Sequence, residues 1–137
     1  MPTVAPDSLC QAAALLRRRF PGVAAVYVFG TAASDTLRSD SDVDLAMECG
    51  EPVSTEQRFE AAQECAKLFG REVDLVDLRQ TPLPLQARVV AEGRRLFVAN
   101  PAEWAFVENA ILSRYCAFVE ERRPLVETVV RRGSLHA

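Results

Sequence analysis

The hydrophobic pattern of the N-terminal part of the chain switches between two periods, one typical of helices and the other of buried strands. Short continuous apolar runs, rich in β-branched and aromatic residues, indicate strands that are buried on both faces. These runs lie at Val23–Phe29, Val43–Met47 and Arg71–Leu78, with a short edge strand at Arg95–Val98. Only short connections separate the strands from the predicted helices, so we expect an α/β (α+β) fold, a small mixed β-sheet with flanking helices.

Helical spacing of apolar residues indicates three helices around these strands. The first helix runs from about Leu9 to Phe20, and the third is short, at Gln86–Glu92. The second is preceded by Ser54 and Gln57, which form a plausible capping box. Its predicted apolar face consists of Phe59, Ala62, Ala66 and Phe69.

The C-terminal section, about residues 102–132, is again helical in its spacing. Its apolar stripe consists of Trp104, Val107, Ile111, Tyr115, Phe118, Leu125 and Val129. Pro124 lacks an amide donor, so we expect it to kink or divide the helix nearby. The stripe either packs against the chain's own core or forms a surface for another chain. In both cases residues 1–137 are expected to form a single domain with its core at about 7–98.

Composition and charge exclude several classes of protein. Of the 137 residues, 49% are hydrophobic and 26% are charged, which is ordinary for a soluble globular domain. A net charge of −3 gives no overall attraction to nucleic acid or to an anionic membrane. No apolar run reaches the roughly 18–20 residues of a membrane span, and the N-terminus does not resemble a signal peptide. We therefore expect a cytoplasmic protein with no membrane and no direct nucleic-acid partner.

Histidine and cysteine usage limits the chemistry further. The single histidine, His136, is next to the C-terminus, which argues against a Ser-His-Asp or Cys-His mechanism within the chain. The four cysteines are far apart and form no C-x-x-C pattern, so a zinc site is not expected. Any chemistry must therefore use carboxylates, hydroxyls, backbone amides and a metal ion.

Two aspartates interrupt the second apolar strand. Asp42 and Asp44 are two residues apart, so on a strand they share a face and lie roughly 6.6 Å apart along the backbone. Val43 and Leu45 then point into the core. Half-buried carboxylates are unfavourable unless their charge is compensated, and Mg²⁺ is a natural partner because it prefers oxygen ligands and shares them with substrate phosphates. The pair predicts a site for one or two magnesium ions.

The third strand offers two further carboxylates, Asp74 and Asp77. Their positions differ by three, an odd number, so on a strand they point to opposite faces and only one can join the site. Asp74 lies in mid-strand, where an acidic group most needs a partner, whereas Asp77 is near the strand end and is expected to be solvated. We predict that Asp74 is the third carboxylate, which ligates the metal near the attacking group or accepts its proton. Three such groups should have raised pKa values without metal.

Gly30 and Thr31 follow the first strand and complete the candidate site. Glycine allows close backbone approach, and neighbouring amides can face phosphate oxygens. Thr31 can donate a hydroxyl hydrogen bond to the same anion. A triphosphate held here would lie beside metal ions at Asp42 and Asp44, which suits attack on the α-phosphate with pyrophosphate leaving. Each piece alone is common in turns, but the combined spacing is specific.

The stretch FGTAASDTLRSDSDVDLAM resembles the signature of the minimal nucleotidyltransferases of the DNA polymerase β superfamily, in which Gly-Ser, ten residues and Asp-x-Asp follow one another. The resemblance covers about residues 23–98 and implies the polymerase-β-type nucleotidyltransferase fold. The residues to which it assigns nucleotide binding are Gly30 and Thr31, and those to which it assigns catalysis and metal binding are Asp42, Asp44 and Asp74. Four positions depart from the pattern: Thr31 replaces serine but keeps the hydroxyl, Asp35 replaces a loop glycine, and Ala32 and Ser34 stand where arginines are often found.

Within this family, the size and layout of the chain are most similar to the MntA-type antitoxins, which are encoded beside HEPN-domain toxins. The resemblance implies Mg²⁺-dependent transfer of AMP from ATP to a tyrosine of a cognate HEPN toxin, and a hetero-oligomer with that toxin. Asp35 near the triphosphate would oppose ATP binding, which leaves open a degenerate antitoxin that neutralises its toxin by binding alone. A small-molecule nucleotidyltransferase is a third possibility, although such enzymes generally carry an additional substrate domain.

Overall fold

The computed structural model of the protein describes the backbone of residues 6–30 and 42–136, and the side chains of residues 7–30 and 42–122. Within these ranges the chain forms one four-stranded sheet and four α-helices. The helices are α1 (Pro6–Arg19), α2 (Thr55–Phe69), α3 (Leu83–Glu92) and α4 (Pro101–His136). The strands are β1 (Ala25–Phe29), β2 (Val43–Glu48), β3 (Val73–Asp77) and β4 (Arg94–Val98).

The sheet is mixed, and its strands lie in the order β3-β2-β1-β4. Strand β1 is antiparallel to both of its neighbours, whereas β2 and β3 run parallel to each other. Parallel neighbours need a crossover connection, and α2 supplies it. The small mixed sheet with flanking helices is therefore confirmed, as is the edge position of the last strand.

Each face of the sheet is covered by two helices, which explains why β1, an inner strand, is apolar throughout. In β1, Val26 and Val28 pack with residues of α1 and α2, while Tyr27 and Phe29 pack with residues of α3 and α4. All five residues of β1 are buried. The two apolar layers are called the α1/α2 layer and the α3/α4 layer below.

Helix α2 has the predicted capping box and part of the predicted apolar face, since Ala62 is buried and Phe69 packs against the core. The Gln57 amide donates to the Ser54 hydroxyl over 3.1 Å, and the Gln57 side chain accepts in return from the Ser54 amide. The residues of α2 that are buried are Ala61, Ala62 and Cys65. The prediction that Phe59 belongs to the buried face is wrong, because its side chain is 63% exposed. The buried side of α2 is centred on Ala61 and Cys65, and Phe59, two positions before Ala61, lies on another side of the helix.

Helix α3 begins earlier than predicted, at Leu83 rather than Gln86. The TPLPL segment was expected to form a turn because it contains two prolines. A proline in the first turn of a helix, however, lacks only an amide that has no partner within the helix. Pro84 is therefore compatible with the start of α3.

Helix α4 runs as one 36-residue element, which corresponds to about 54 Å. Of the two expected effects of Pro124, a kink or a division of the helix, the division is wrong, since the helix continues through this position. Near its N-terminus, Trp104 and Ile111 are buried in the α3/α4 layer, so this part of the stripe packs against the chain's own core. Leu125 and Val129 lie beyond the described side chains. Among the described residues, no helix combines the length and the apolar character that a membrane crossing requires.

A buried polar network attaches α4 to the sheet. The Trp104 indole donates a 2.7 Å hydrogen bond to the Tyr27 hydroxyl, which in turn donates to the Glu108 carboxylate. Glu108 is only 7% exposed, and its charge is balanced by an ion pair with Arg95 of β4. Burial, and then the bond to Glu108, raises the pKa of Tyr27 to about 12. This network fixes the start of α4 against β1 and β4.

Candidate active site

The register of β2 and β3 brings two of the predicted carboxylates together. Asp44 and Asp74 are direct partners in the parallel pair, on strands that lie about 4.8 Å apart. Val43 and Leu45 are buried in the α1/α2 layer, as predicted, so Asp44 points to the opposite face. Leu75 also belongs to the α1/α2 layer, which places Asp74 on the same face as Asp44.

Asp42 lies next to this pair, immediately before β2. Asp42 and Asp74 are exposed, whereas Asp44 is half-buried. The pKa of Asp44 is raised above its usual value, first by burial and then by the negative charges of Asp74 and Asp42. The predicted rise is therefore found at Asp44, and three negative charges act on one another at this end of β2.

Gly30 forms a close contact with the same carboxylate. It has a φ of +71°, in the left-handed region where side chains are strained. A Cβ atom at this position would lie 2.6 Å from Oδ2 of Asp44, which is shorter than a normal contact. Both the turn and the carboxylate therefore need glycine here. Thr31 and Asp35 lie outside the described residues.

Asp77, which the sequence also offered, has a different environment. It is only 2% exposed, and its carboxylate accepts hydrogen bonds from the amides of Val53 (3.4 Å) and Arg79 (3.2 Å). The expectation that Asp77 is solvated is wrong, because the segment that contains Val53 lies against its carboxylate at the end of β3. Asp77 caps the 3-10 helix Leu78–Gln80, at the opposite end of β3 from the candidate site.

Comparison with known proteins identifies the family. Residues 11–102 match the family described as polymerase beta, nucleotidyltransferase. This range contains the glycine turn, all three site carboxylates and the whole sheet. The chain belongs to this nucleotidyltransferase family.

Three relatives of this nucleotidyltransferase extend the match to nearly the whole chain. Protein adenylyltransferase MntA of Shewanella oneidensis is 31% identical over 123 residues, which are 90% of this chain and 88% of that protein. A toxin–antitoxin crystallised with AMP-PNP matches with a TM-score of 0.79 and 29% identity, over 89% of this chain and 98% of that one. The complex of tri-AMPylated Shewanella oneidensis HEPN toxin with MNT antitoxin matches with a TM-score of 0.75 and 27% identity, over 90% of this chain and 96% of that one.

The donor chemistry of this nucleotidyltransferase site suits magnesium. The carboxylates of Asp42, Asp44 and Asp74 are hard oxygen ligands, and their mutual repulsion would be relieved by a cation. No group of three or more His, Cys, Asp or Glu side chains that could hold a metal ion is found among the described residues. Mg²⁺ is commonly bound by one or two carboxylates together with substrate phosphates, so the nucleotide is expected to complete its coordination.

One basic residue near the site was missed by sequence reasoning. The positive charge of Arg88, on α3, lowers the pKa of Asp44 and so opposes the effect of the other carboxylates. Its guanidinium also pairs with Glu92 on the same helix over 3.3 Å, in a mostly exposed position. The i,i+4 spacing of Arg88 and Glu92 is visible in the sequence but indicates only helix stabilisation. Its proximity to Asp44 depends on how α3 packs on the sheet.

Proposed function

We propose that the chain is a Mg²⁺-dependent protein adenylyltransferase that acts as an antitoxin. It transfers AMP from ATP to a tyrosine of a cognate HEPN-domain toxin and thereby neutralises the toxin. The similarity to MntA, to an antitoxin crystallised with AMP-PNP and to one in complex with an AMPylated toxin supports this activity. The observation that carries the proposal is the pairing of Asp44 with Asp74 beside the turn at Gly30. A cytoplasmic location and a hetero-oligomer with the toxin are part of it.

Each residue of the site has a separate role in the proposal. Gly30 and Thr31 bind the triphosphate through backbone amides and a hydroxyl. Arg88 adds positive charge on the side of α3 and offsets part of the repulsion between phosphates and carboxylates. Asp42, Asp44 and Asp74 are the metal ligands; bound Mg²⁺ would neutralise charge on the phosphate oxygens.

The proposed reaction is a single displacement at the α-phosphorus. The phenolic oxygen of the toxin tyrosine forms a bond to the α-phosphorus, and the bond from this phosphorus to the oxygen that bridges to the β-phosphate breaks. The electron pair leaves with pyrophosphate, and the phenolic proton is released to water. The chain contributes position and charge, which account for most of the catalysis in phosphoryl transfer.

The test measures label from α-labelled ATP on the purified cognate toxin. We expect labelling that requires Mg²⁺ and an increase in toxin mass of one or more AMP units. Asp42→Asn and Asp44→Asn should abolish labelling while the circular dichroism spectrum is kept. Glu121→Gln, which removes an exposed carboxylate on α4, is the matched control and should label normally.

Two results would contradict this proposal in different ways. Undiminished labelling in both aspartate variants would show that the site lies elsewhere. Neutralisation of the toxin in cells that survives both substitutions, with labelling lost, would favour the antitoxin that acts by binding alone.

A further inference from the structure

A cavity of about 490 Å³ lies between α3 and α4, on the same face of the sheet as Asp44. It is called the α3–α4 cavity below. Glu48, the last residue of β2, lines it, whereas Asp44 is four residues earlier on this strand, about 13 Å away along the backbone. The cavity is therefore separate from the candidate active site.

The α3–α4 cavity is a compact hollow rather than an extended groove, because side chains from four different elements converge on it. They are Glu48 of β2, Leu78 and Arg79 of the 3-10 helix, Leu83 of α3 and Trp104 of α4. A segment of another protein binds best along a continuous groove or a free strand edge. The shape of this cavity therefore favours a small molecule as its occupant.

The walls of the cavity are mainly apolar. Leu78, Trp104 and Ile111 are at most 3% exposed, and Leu83 and Val107 add further apolar surface. Val107 is 38% exposed and so lies towards the opening. Sites for small molecules commonly have volumes of about 300–1,000 Å³, apolar walls and a few polar groups, and they often lie between helices. The size and the lining of this cavity agree with that description.

One pair of charged groups in the lining is already satisfied by the protein. The carboxylate of Glu48 forms an ion pair with Arg79 over 2.7 Å and accepts a hydrogen bond from the amide of Gly50 over 3.0 Å. Arg79 also donates to the carbonyl of Gly50 over 2.6 Å, which fixes its guanidinium. The negative charge of Glu48 is thus neutralised within the protein.

Arg114 supplies a second positive charge that is not used in this way. Among the described residues, its exposed side chain has no ion pair and no hydrogen bond. Two arginines and one glutamate leave the cavity lining with a formal charge of +1, in a chain whose net charge is −3. A guanidinium beside an apolar wall can bind a carboxylate through two parallel hydrogen bonds.

We propose that the α3–α4 cavity binds a small organic acid, an aromatic or aliphatic carboxylate. The apolar body of this ligand packs against Leu78, Trp104 and Ile111, and its carboxylate accepts hydrogen bonds from Arg114. The inference does not depend on the proposed function, because Asp42, Asp44 and Asp74 do not line the cavity.

The first experiment uses two fluorescent probes that differ in charge. 8-Anilinonaphthalene-1-sulfonate has apolar rings and a sulfonate that stands in for the carboxylate, whereas N-phenyl-1-naphthylamine has the same rings without the charge. We expect both probes to bind the full chain. Arg114→Ala should weaken the sulfonate probe at least about tenfold, as for the loss of hydrogen bonds to a charged group, and the neutral probe less than about twofold. Arg114→Lys should lie between, because it keeps the charge but not the paired donors.

Two further variants test the cavity itself. Val107→Trp places a large ring at the opening and should prevent the binding of both probes. Arg18→Ala is the matched control, because Arg18 is also an exposed arginine that lines a cavity, of about 440 Å³, beside α1. It should bind both probes like the original chain. Circular dichroism of each variant checks that the fold is kept.

The second experiment locates the probe without any substitution. Nuclear Overhauser effects should connect the rings of the sulfonate probe with the methyl groups of Ile111 and Leu78 and with the indole of Trp104. This measurement also covers a Val107→Trp variant that fails to fold.

Each result either supports the assignment or overturns it. Unchanged affinity for the sulfonate probe in Arg114→Ala, or an equal loss for both probes, would overturn the role of Arg114 in anion binding. Probe contacts with other surfaces, or a loss of affinity in Arg18→Ala, would overturn the cavity as the site. All of these measurements are made without ATP and Mg²⁺, so they leave the proposed adenylyltransferase untouched.

Discussion

The acidic residues at the two ends of β3 lie in opposite environments. At one end, Asp77 is almost completely buried, yet the amides of Val53 and Arg79 satisfy its carboxylate. At the other end, Asp74 lies beside Asp44, whose pKa is raised because burial and the charges of Asp74 and Asp42 outweigh the positive charge of Arg88. The first arrangement stabilises the fold, and the second leaves charge available for a ligand. Stability and function are therefore separated along one five-residue strand.

The largest expected effect is the loss of activity in Asp44→Asn. AMP transfer should fall at least about a thousandfold, equivalent to about 4 kcal/mol of transition-state stabilisation. The free energy of unfolding should not decrease, because the substitution removes a charge that Asp74 and Asp42 repel. Transfer rates and urea denaturation of the same samples measure the two quantities. A large loss of stability would mean that Asp44 is a structural residue like Asp77.

The second prediction concerns Gly30, the neighbour of the Asp44 carboxylate. Gly30→Ala introduces a Cβ atom at the 2.6 Å contact with Asp44, so the carboxylate has to move. It also adds strain of about 1–2 kcal/mol, because alanine disfavours the left-handed conformation. We expect AMP transfer to fall about a hundredfold, with a smaller loss of stability. Gly50→Ala has the same strain and no nearby atom, and is the matched control for conformation alone.

At the other end of β3, substitution of Asp77 should lower stability and leave AMP transfer almost unchanged. Asp77→Ala leaves the amides of Val53 and Arg79 without their side-chain acceptor, which should lower the free energy of unfolding by about 1–3 kcal/mol. AMP transfer per folded molecule should stay within about twofold. Asp74→Ala is the paired variant, expected to lose transfer and keep stability. If both variants behaved alike, the contrast between the two ends of β3 would be lost.

The smallest effect is expected at Arg88. Arg88→Ala removes a positive charge from the mostly exposed surface near Asp44, so KM for ATP should rise about threefold to tenfold. Arg88→Lys should keep most of the affinity, because the charge is retained. Arg114→Ala, on an exposed position of α4, is the control. An unchanged KM for ATP would exclude a contact between Arg88 and the nucleotide.

The parts of the site that follow from local periodicity were predictable. Strand alternation puts Val43 and Leu45 on one face of the sheet, in the α1/α2 layer, and Asp44 on the opposite face. The same rule lets only one of Asp74 and Asp77 share a face with Asp44, and Asp74 was preferred because it lies in mid-strand. The register that pairs Asp44 with Asp74 could not be derived, because it depends on how β2 and β3 align across α2.

Predictions that depend on packing between elements were less successful. Phe59 has the helical spacing of a core residue, but α2 turns the side with Ala61 and Cys65 to the sheet and leaves Phe59 exposed. Glu108 has the composition of a surface residue, yet the packing of α4 buries it beside Tyr27 and Arg95. For Arg88, the local sequence shows only the i,i+4 spacing to Glu92 and does not indicate that it lies near Asp44. Each of these positions is decided by contacts with residues far away in the sequence.

The contact between Gly30 and Asp44 has a consequence for how such chains vary across species. Since the space beside the turn is filled by one carboxylate oxygen, the two positions cannot change independently. A homologue that retains the aspartate should retain glycine, whereas one that has lost the aspartate can accept asparagine, which tolerates a left-handed backbone. Inactive descendants of this enzyme should therefore be recognisable by paired replacements at these two positions.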